Sequence, residues 1–226
     1  MILTAGLGKR MQPLTYKKPK SLLKIGGITL LERAINLLIN HGVEEIVVNT
    51  HYLANQIEKF ISDFKSRAKI KISSEKDLLL DTGGGVKKGT KEFNDNPFFV
   101  INPDTLWSNK YSEEVQSLEK EYFTNKRPCL LLVKKELSLD NSFKGDFNLK
   151  NNLISKDEKN QFIFTGLQIM KNDHLAFFNK NIFSMNEVWK KLINEKNLGG
   201  LESNQKFYHL NTIEMFEKIS SLSSID

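Results

Sequence analysis

Gly6, Gly8, Arg10 and Lys20 are the residues of this chain best equipped to handle phosphate, and all four fall within the run Leu3–Lys24, LTAGLGKRMQPLTYKKPKSLLK. Glycines after an apolar strand let backbone N–H groups come close to an anion, because no Cβ stands in the way. A forked guanidinium and a compact ammonium farther along the loop can neutralise a triphosphate. Two familiar phosphate loops are excluded. The dinucleotide fingerprint requires a third glycine where Met11 stands, and Pro13 and Pro19 oppose the uninterrupted helix it needs. The Walker pattern ends in Gly-Lys-Ser/Thr, and Gly8-Lys9-Arg10 does not supply it. What remains is an extended loop that carries both cations itself.

Two further segments carry chemistry. Asp81-Thr82-Gly83-Gly84-Gly85 precedes a helix expected to begin near Val86. Three consecutive glycines cost backbone entropy and are tolerated where something must approach closely. Phe98-Phe99-Val100-Ile101-Asn102 is an apolar strand followed by Pro103 and Asp104, which sets a carboxylate at the carboxyl edge of a sheet. Mg²⁺ prefers carboxylate and phosphate oxygens, and one or two protein carboxylates normally suffice to hold it.

The order Gly6-x-Gly8-x-Arg10-Met11-x-Pro13-Leu14-Thr15, followed by Pro19-Lys20, resembles the signature of sugar-1-phosphate nucleotidyltransferases. Those enzymes join an NTP to a sugar phosphate and release pyrophosphate. The resemblance implies that Arg10 and Lys20 are catalytic, Arg10 on the NTP phosphates and Lys20 bridging the reacting phosphoryl group and the sugar phosphate. It places the nucleotide against Leu3, Ala5, Gly6 and Gly8, and the base against Thr82, Gly83 and Gly84. It makes Asp104 a ligand of the catalytic Mg²⁺, with Pro103 replacing the family's usual glycine. The family's second metal aspartate lies in an aromatic-x-Asp-x-Gly-Thr segment. Here Phe207-Tyr208-His209-Leu210-Asn211-Thr212 puts His209 at the aspartate's place and Asn211 at the glycine's. Neutral imidazole is a poor Mg²⁺ ligand. The expectation is therefore Mg²⁺ held by Asp104, phosphates and waters. The alternatives are Mn²⁺, with His209 as a metal ligand, or an inactive site.

On the sugar side, Lys144-Gly145-Asp146-Phe147 is similar to a segment of N-acetylmuramate-1-phosphate uridylyltransferases, as is Val48-Asn49-Thr50-His51-Tyr52-Leu53. That likeness gives Lys144 to the sugar phosphate, Asp146 to sugar hydroxyls, and Thr165 and Gly166 of Phe164-Thr165-Gly166 to the strand beside the sugar. It implies UTP and an N-acetylhexosamine 1-phosphate as partners. A different base or acceptor (glucose or mannose 1-phosphate, phosphocholine) and a catalytically weak nucleotide-sugar sensor are the rival readings.

The elements that must position these residues follow from hydrophobic pattern. Strand-like runs recur at Glu45–Asn49, Ile70–Ser73, Pro97–Asn102, Cys129–Lys134 and Phe162–Met170. Thr29 and Glu32 have capping-box spacing ahead of Leu30, Ala34, Ile35, Leu37 and Leu38 at helical period, and Gly42 stops that helix. Ala54–Phe64 repeats the theme with Ile57, Phe60, Ile61 and Phe64 on one face. Phe143–Glu158 reads as a polar hairpin or loop. Alternating βαβ units imply an α/β fold, a three-layer αβα sandwich around a mostly parallel mixed sheet, Rossmann-like, with ligands at the carboxyl ends of the strands. No linker divides the chain, so a single domain over 1–226 is expected, and its first strand looks cut short by a residue or two.

Composition excludes other classes. At 226 residues and 39% hydrophobic content the chain can bury a sizeable core. No apolar run reaches the roughly 20 residues of a membrane helix. The net charge of +6 comes from scattered lysines without a basic stretch interleaved with aromatics, so no nucleic-acid role is expected. The one cysteine, Cys129, lies in the apolar run CLLLV, which fits a core position and a reducing cytoplasm. The resemblance implies that larger relatives carry long C-terminal extensions for oligomerisation or regulation, so the compact length fits the N-acetylmuramate-1-phosphate uridylyltransferase subgroup; a monomer is expected.

Overall fold

The computed structural model describes residues 1–222. In chain order the strands are β1 (Ile2–Leu3), β2 (Lys24–Ile25), β3 (Ile28–Thr29), β4 (Glu45–Thr50), β5 (Lys69–Ser74), β6 (Phe98–Ile101), β7 (Cys129–Lys134), β8 (Asn148–Lys150), β9 (Leu153–Ser155), β10 (Phe162–Met170) and β11 (Gly199–Ser203). The helices are α1 (Leu30–Asn40), α2 (Ala54–Asp63), α3 (Asp81–Gly89), α4 (Ser112–Asn125), α5 (Met185–Asn194) and α6 (Ile213–Ser220). Thr29 caps α1 by accepting the Glu32 N–H at 3.1 Å.

One sheet carries nine strands in the order β5-β4-β1-β6-β10-β7-β11-β9-β8, and β2-β3 form a separate hairpin. β4 and β6 lie parallel to β1, and β5 lies parallel to β4. β10 opposes both β6 and β7, β11 follows β7, and β9 opposes β11 and β8. Only β10 and β9 therefore run against the rest, and the sheet is mixed but mostly parallel. The carboxyl ends of β1, β4, β5 and β6 share one edge, where an open α/β sheet binds ligands.

The central strands are apolar on both faces, and alternation assigns their side chains to two layers. Ile46, Val48, Phe99, Ile101, Cys129, Leu131, Leu167 and Ile169 pack with Leu31, Ile35 and Leu38 of α1, Ile57 of α2 and Val115 and Leu118 of α4. Val47, Phe98, Val100, Leu130, Leu132, Phe162 and Met170 pack with Val86 of α3 and Val188 and Leu192 of α5. The expected three-layer α/β architecture follows. Cys129 is fully buried, and burial pushes its thiol up to about 12, leaving it an unreactive core residue.

Two segments are more definite than the sequence indicates. The polar stretch contains the β8–β9 hairpin, turned by Asn151 and Asn152 with φ of 51° and 57°, a pair of left-handed residues that suits a two-residue turn. The glycine triplet does not precede a helix; it lies inside the first turns of α3. What approaches it is the chain's own segment 181–183. The Gly83 and Gly84 N–H groups both donate to the Phe183 carbonyl, at 2.9 and 3.1 Å. A Cβ on Gly84 would stand 2.0 Å from the Asn181 carbonyl oxygen. Gly84→Ala should accordingly destabilise by about 2–3 kcal/mol despite the better helix propensity of alanine, lowering Tm by roughly 5–10 °C. A thermal melt unchanged from the parent would show instead that the 181–183 segment yields freely.

Candidate active site

The carboxyl edge holds a cleft of about 620 Å³, walled by the loop after β1, the ends of β4 and β6, the start of α3 and residues from the later chain. Its floor is the first glycine loop. Gly8 takes φ +62°, a conformation that favours glycine, and its carbonyl accepts both the Met11 N–H and the Thr15 hydroxyl at 2.9 Å. These bonds fold the loop back on itself, with Met11 buried as its anchor and Arg10 exposed at the cleft. Leu3, Ala5, Gly6, Gly8, Arg10 and Lys20 all line the cleft.

Lys20 and Asp104 meet across the cleft. Lys20 sits in a short helical turn after Pro19, and its Nζ lies 2.6 Å from Asp104 Oδ2, with the two side chains only 16% and 23% exposed. The loop bearing Asp104 is clamped on both sides. The Asn102 N–H donates to the Gly166 carbonyl, the Thr105 hydroxyl to the Thr165 carbonyl, and the Leu210 N–H to the Asp104 carbonyl. Burial alone would raise the Asp104 carboxyl. The Lys20 ammonium, with His209 beside it, outweighs that and holds the group well below the usual carboxylate range. Asp104 is therefore a carboxylate at neutral pH.

His209 Nε2 lies 3.8 Å from Asp104 Oδ2. Its ring stacks on Phe207 at 5.8 Å and meets the edge of Phe143 at 5.9 Å. Burial lowers its pKa; the Asp104 carboxylate opposes this, but burial with the cations of Lys20 and Arg10 prevails, so the imidazole stays neutral at pH 7. Four buried polar atoms with no hydrogen-bond partner among the described residues gather in this region: Ser21 Oγ, Asp104 Oδ1, His209 Nδ1 and Asn211 Oδ1. Ser21, Asp104 and Asn211 line the cleft itself. Unsatisfied buried groups are costly unless a ligand completes them.

The other expected residues are divided between the cleft and its support. Thr82 lines the cleft, whereas Gly83 and Gly84 are buried behind it with their N–H groups taken by Phe183. Thr165 is buried, its hydroxyl donating to the Leu131 carbonyl at 2.9 Å, and Gly166 accepts from Asn102, so both act on the Asp104 loop from behind. Asp146 Oδ2 accepts the Phe164 N–H at 2.9 Å and thereby joins the segment before β8 to β10. Lys144 is exposed outside the cleft wall.

Sequence reasoning did not single out the relay that fixes the glycine-loop side of the cleft. Asn49 Oδ1 accepts the Thr4 N–H at 2.7 Å, and Asn49 Nδ2 donates to Glu75 Oε1 at 2.7 Å. Glu75, 1% exposed, takes the Leu80 N–H on Oε2 at 2.9 Å. Four segments of the carboxyl edge are thus tied together by one buried carboxylate. The available signal was a polar residue closing an apolar strand, as in Val47-Val48-Asn49 and Val100-Ile101-Asn102.

Residues 1–135 match the family model described as nucleotidyl transferase, and the chain belongs to that family. It is 29% identical over 218 residues to the N-acetylmuramate alpha-1-phosphate uridylyltransferase of Caulobacter vibrioides, covering 93% of this chain and 90% of that one. A shorter match, 32% identical over 116 residues, is to the mannose-1-phosphate guanyltransferase of Hypocrea jecorina and covers 50% of this chain and 32% of that one. Among solved structures, HddC from Yersinia pseudotuberculosis complexed with GMP-PN superposes with a TM-score of 0.78 at 20% identity, over 97% of this chain and 96% of that one. That likeness shows a shared fold.

Proposed function

We propose that this chain transfers a uridylyl group from UTP to a sugar 1-phosphate, N-acetylmuramate 1-phosphate or a close N-acetylhexosamine analogue, and releases pyrophosphate. The observation that carries the reading is the Lys20–Asp104 pair, 2.6 Å apart and facing the glycine loop across one cleft. A cation and an anionic ligand site stand there where two phosphates must meet. The choice of base and sugar rests on the likeness to the Caulobacter protein, which spans both chains almost completely.

An oxygen of the sugar phosphate attacks the α-phosphorus in line, the bond to the β-phosphate oxygen breaks, and pyrophosphate departs with that electron pair. The nucleophile is already an anion, so no general base is needed, and neutral His209 is not asked to be one. Lys20 holds the two phosphates together against their repulsion, and Arg10 neutralises the leaving pyrophosphate. The unpartnered Asp104 Oδ1 and the oxygen-rich wall fit a hard cation such as Mg²⁺, with Mn²⁺ a workable substitute. When bound, that ion would neutralise charge on the phosphate oxygens. The partners are then two small substrates, with no nucleic acid or membrane, and a cytoplasmic monomer is the setting proposed. Among the described residues no helix is long and apolar enough to cross a membrane.

Specificity is tested by comparing kcat/KM for UTP, CTP, GTP and dTTP against N-acetylmuramate, N-acetylglucosamine, glucose and mannose 1-phosphates. UTP with an N-acetylhexosamine 1-phosphate should lead by at least about tenfold, the discrimination expected from one well-placed contact. A preference for GTP with mannose 1-phosphate would replace this assignment.

A further inference from the structure

We propose that Asn211, oriented by Asp140, supplies the second protein oxygen for the divalent cation at Asp104, in place of the carboxylate that position 209 lacks. Asn211 is 9% exposed and lines the cleft. Its Nδ2 donates to Asp140 Oδ2 at 2.9 Å, and Asp140 Oδ1 accepts the Ser142 N–H at 2.9 Å. A carboxylate only accepts, so the amide's NH₂ must face Asp140 and its carbonyl oxygen must face away. That oxygen, Asn211 Oδ1, is buried and has no hydrogen-bond partner among the described residues.

An acceptor of this kind cannot bond an anionic phosphate oxygen; it needs a cation or a donor. Asp104 Oδ1 is likewise buried without a partner among the described residues, while Oδ2 is taken by Lys20. The Leu210 N–H donates to the Asp104 carbonyl at 2.8 Å, which anchors the residue before Asn211 to the Asp104 loop, and Asn211 and Asp104 both line the cleft. Two unclaimed hard oxygens on one wall suit Mg²⁺, whose remaining positions go to water and phosphate. His209 is left out of the set because imidazole is the softer donor and the residue does not line the cleft, although its Nδ1 too is buried without a hydrogen-bond partner among the described residues. Its Nε2 looks toward the Lys20-bound Oδ2, and its ring is held between Phe207 and Phe143.

This inference rests on the proposed nucleotidyl transfer only for the choice of ion, and its test reads metal affinity rather than turnover. Mn²⁺ binding to the full chain with α,β-imido-UTP is followed by the EPR signal of the free ion. Asn211→Ala and Asp140→Asn should each weaken Mn²⁺ by about tenfold or more, the usual cost of losing a ligand or its orienting partner. His209→Ala should stay within about twofold of the parent. Losing a hydrogen bond also loosens a site, so the exchange variant Asp140→Asn/Asn211→Asp is decisive: it keeps the bond with donor and acceptor reversed, and should bind Mn²⁺ at least as tightly as the parent. Parent-like Mn²⁺ affinity in Asn211→Ala, a loss in His209→Ala equal to that in Asn211→Ala, or weak binding in the exchange variant would overturn the proposal. If Asn211→Ala changed only the KM for the sugar phosphate, the oxygen would belong to the acceptor instead.

Discussion

Lys20→Ala is expected to cut turnover at least about a hundredfold while leaving the protein folded, the scale on which one preorganised charge contact acts. The side chain is 16% exposed and held by a carboxylate 2.6 Å away, so its position is set before substrate arrives and costs no reorganisation during the reaction. Its loss acts twice. The attacking and attacked phosphates lose the cation between them, and Asp104 loses its counter-ion, so that burial, unopposed by the ammonium, drives that carboxyl upward. Steady-state kinetics should therefore show the drop mainly in kcat, with a deeper deficit toward acid pH, where protons compete for Asp104. Turnover within about threefold of the parent would remove Lys20 from the chemistry.

Asp104→Asn is the companion change, with a loss expected to reach about a thousandfold at ordinary Mg²⁺ concentrations. Asparagine keeps the shape and one oxygen but gives up the negative charge that attracts both Lys20 and a hard cation. Raising Mg²⁺ should recover part of the rate, because the weakened site is refilled by mass action. The fold should survive, since the backbone clamp on residues 102–106 from Gly166, Thr165, Tyr208 and Leu210 does not involve the carboxylate. A rate profile against Mg²⁺ identical to the parent's would deny Asp104 any part in metal binding. Lys20→Ala and Asp104→Asn together should cost much less than the product of their separate losses, because the two groups act as one unit.

Much of this site was legible because its parts are local. The loop Gly6–Arg10, the lysine after Pro19 and the aspartate after an apolar strand are each specified by neighbours in sequence, and all of them line the cleft. The glycine triplet shows where such reading ends. Sequence indicates that something approaches Gly83 and Gly84 closely; only the fold reveals that Phe183 and Asn181, about a hundred residues away, are what approaches. The direction of β10 was similarly hidden, since an apolar run looks alike read either way. Asn211 and Asp140 lie 71 residues apart; the segment pattern marks Asn211 only as a residue in a glycine's place, and Asp140 has no local pattern that marks it. Their meaning comes from one hydrogen bond and from the oxygen it leaves unclaimed.

The central claim, nucleotidyl transfer in the cleft of Arg10, Lys20 and Asp104, is tested most directly by pyrophosphate release. The protein is incubated with each NTP and each sugar 1-phosphate in Mg²⁺ and in Mn²⁺, with Lys20→Ala as the control. We predict release matched one for one by a nucleoside diphosphate sugar, for UTP above the other bases, and at least about a hundredfold slower in the control. No release above the control with any pair of substrates would contradict the account.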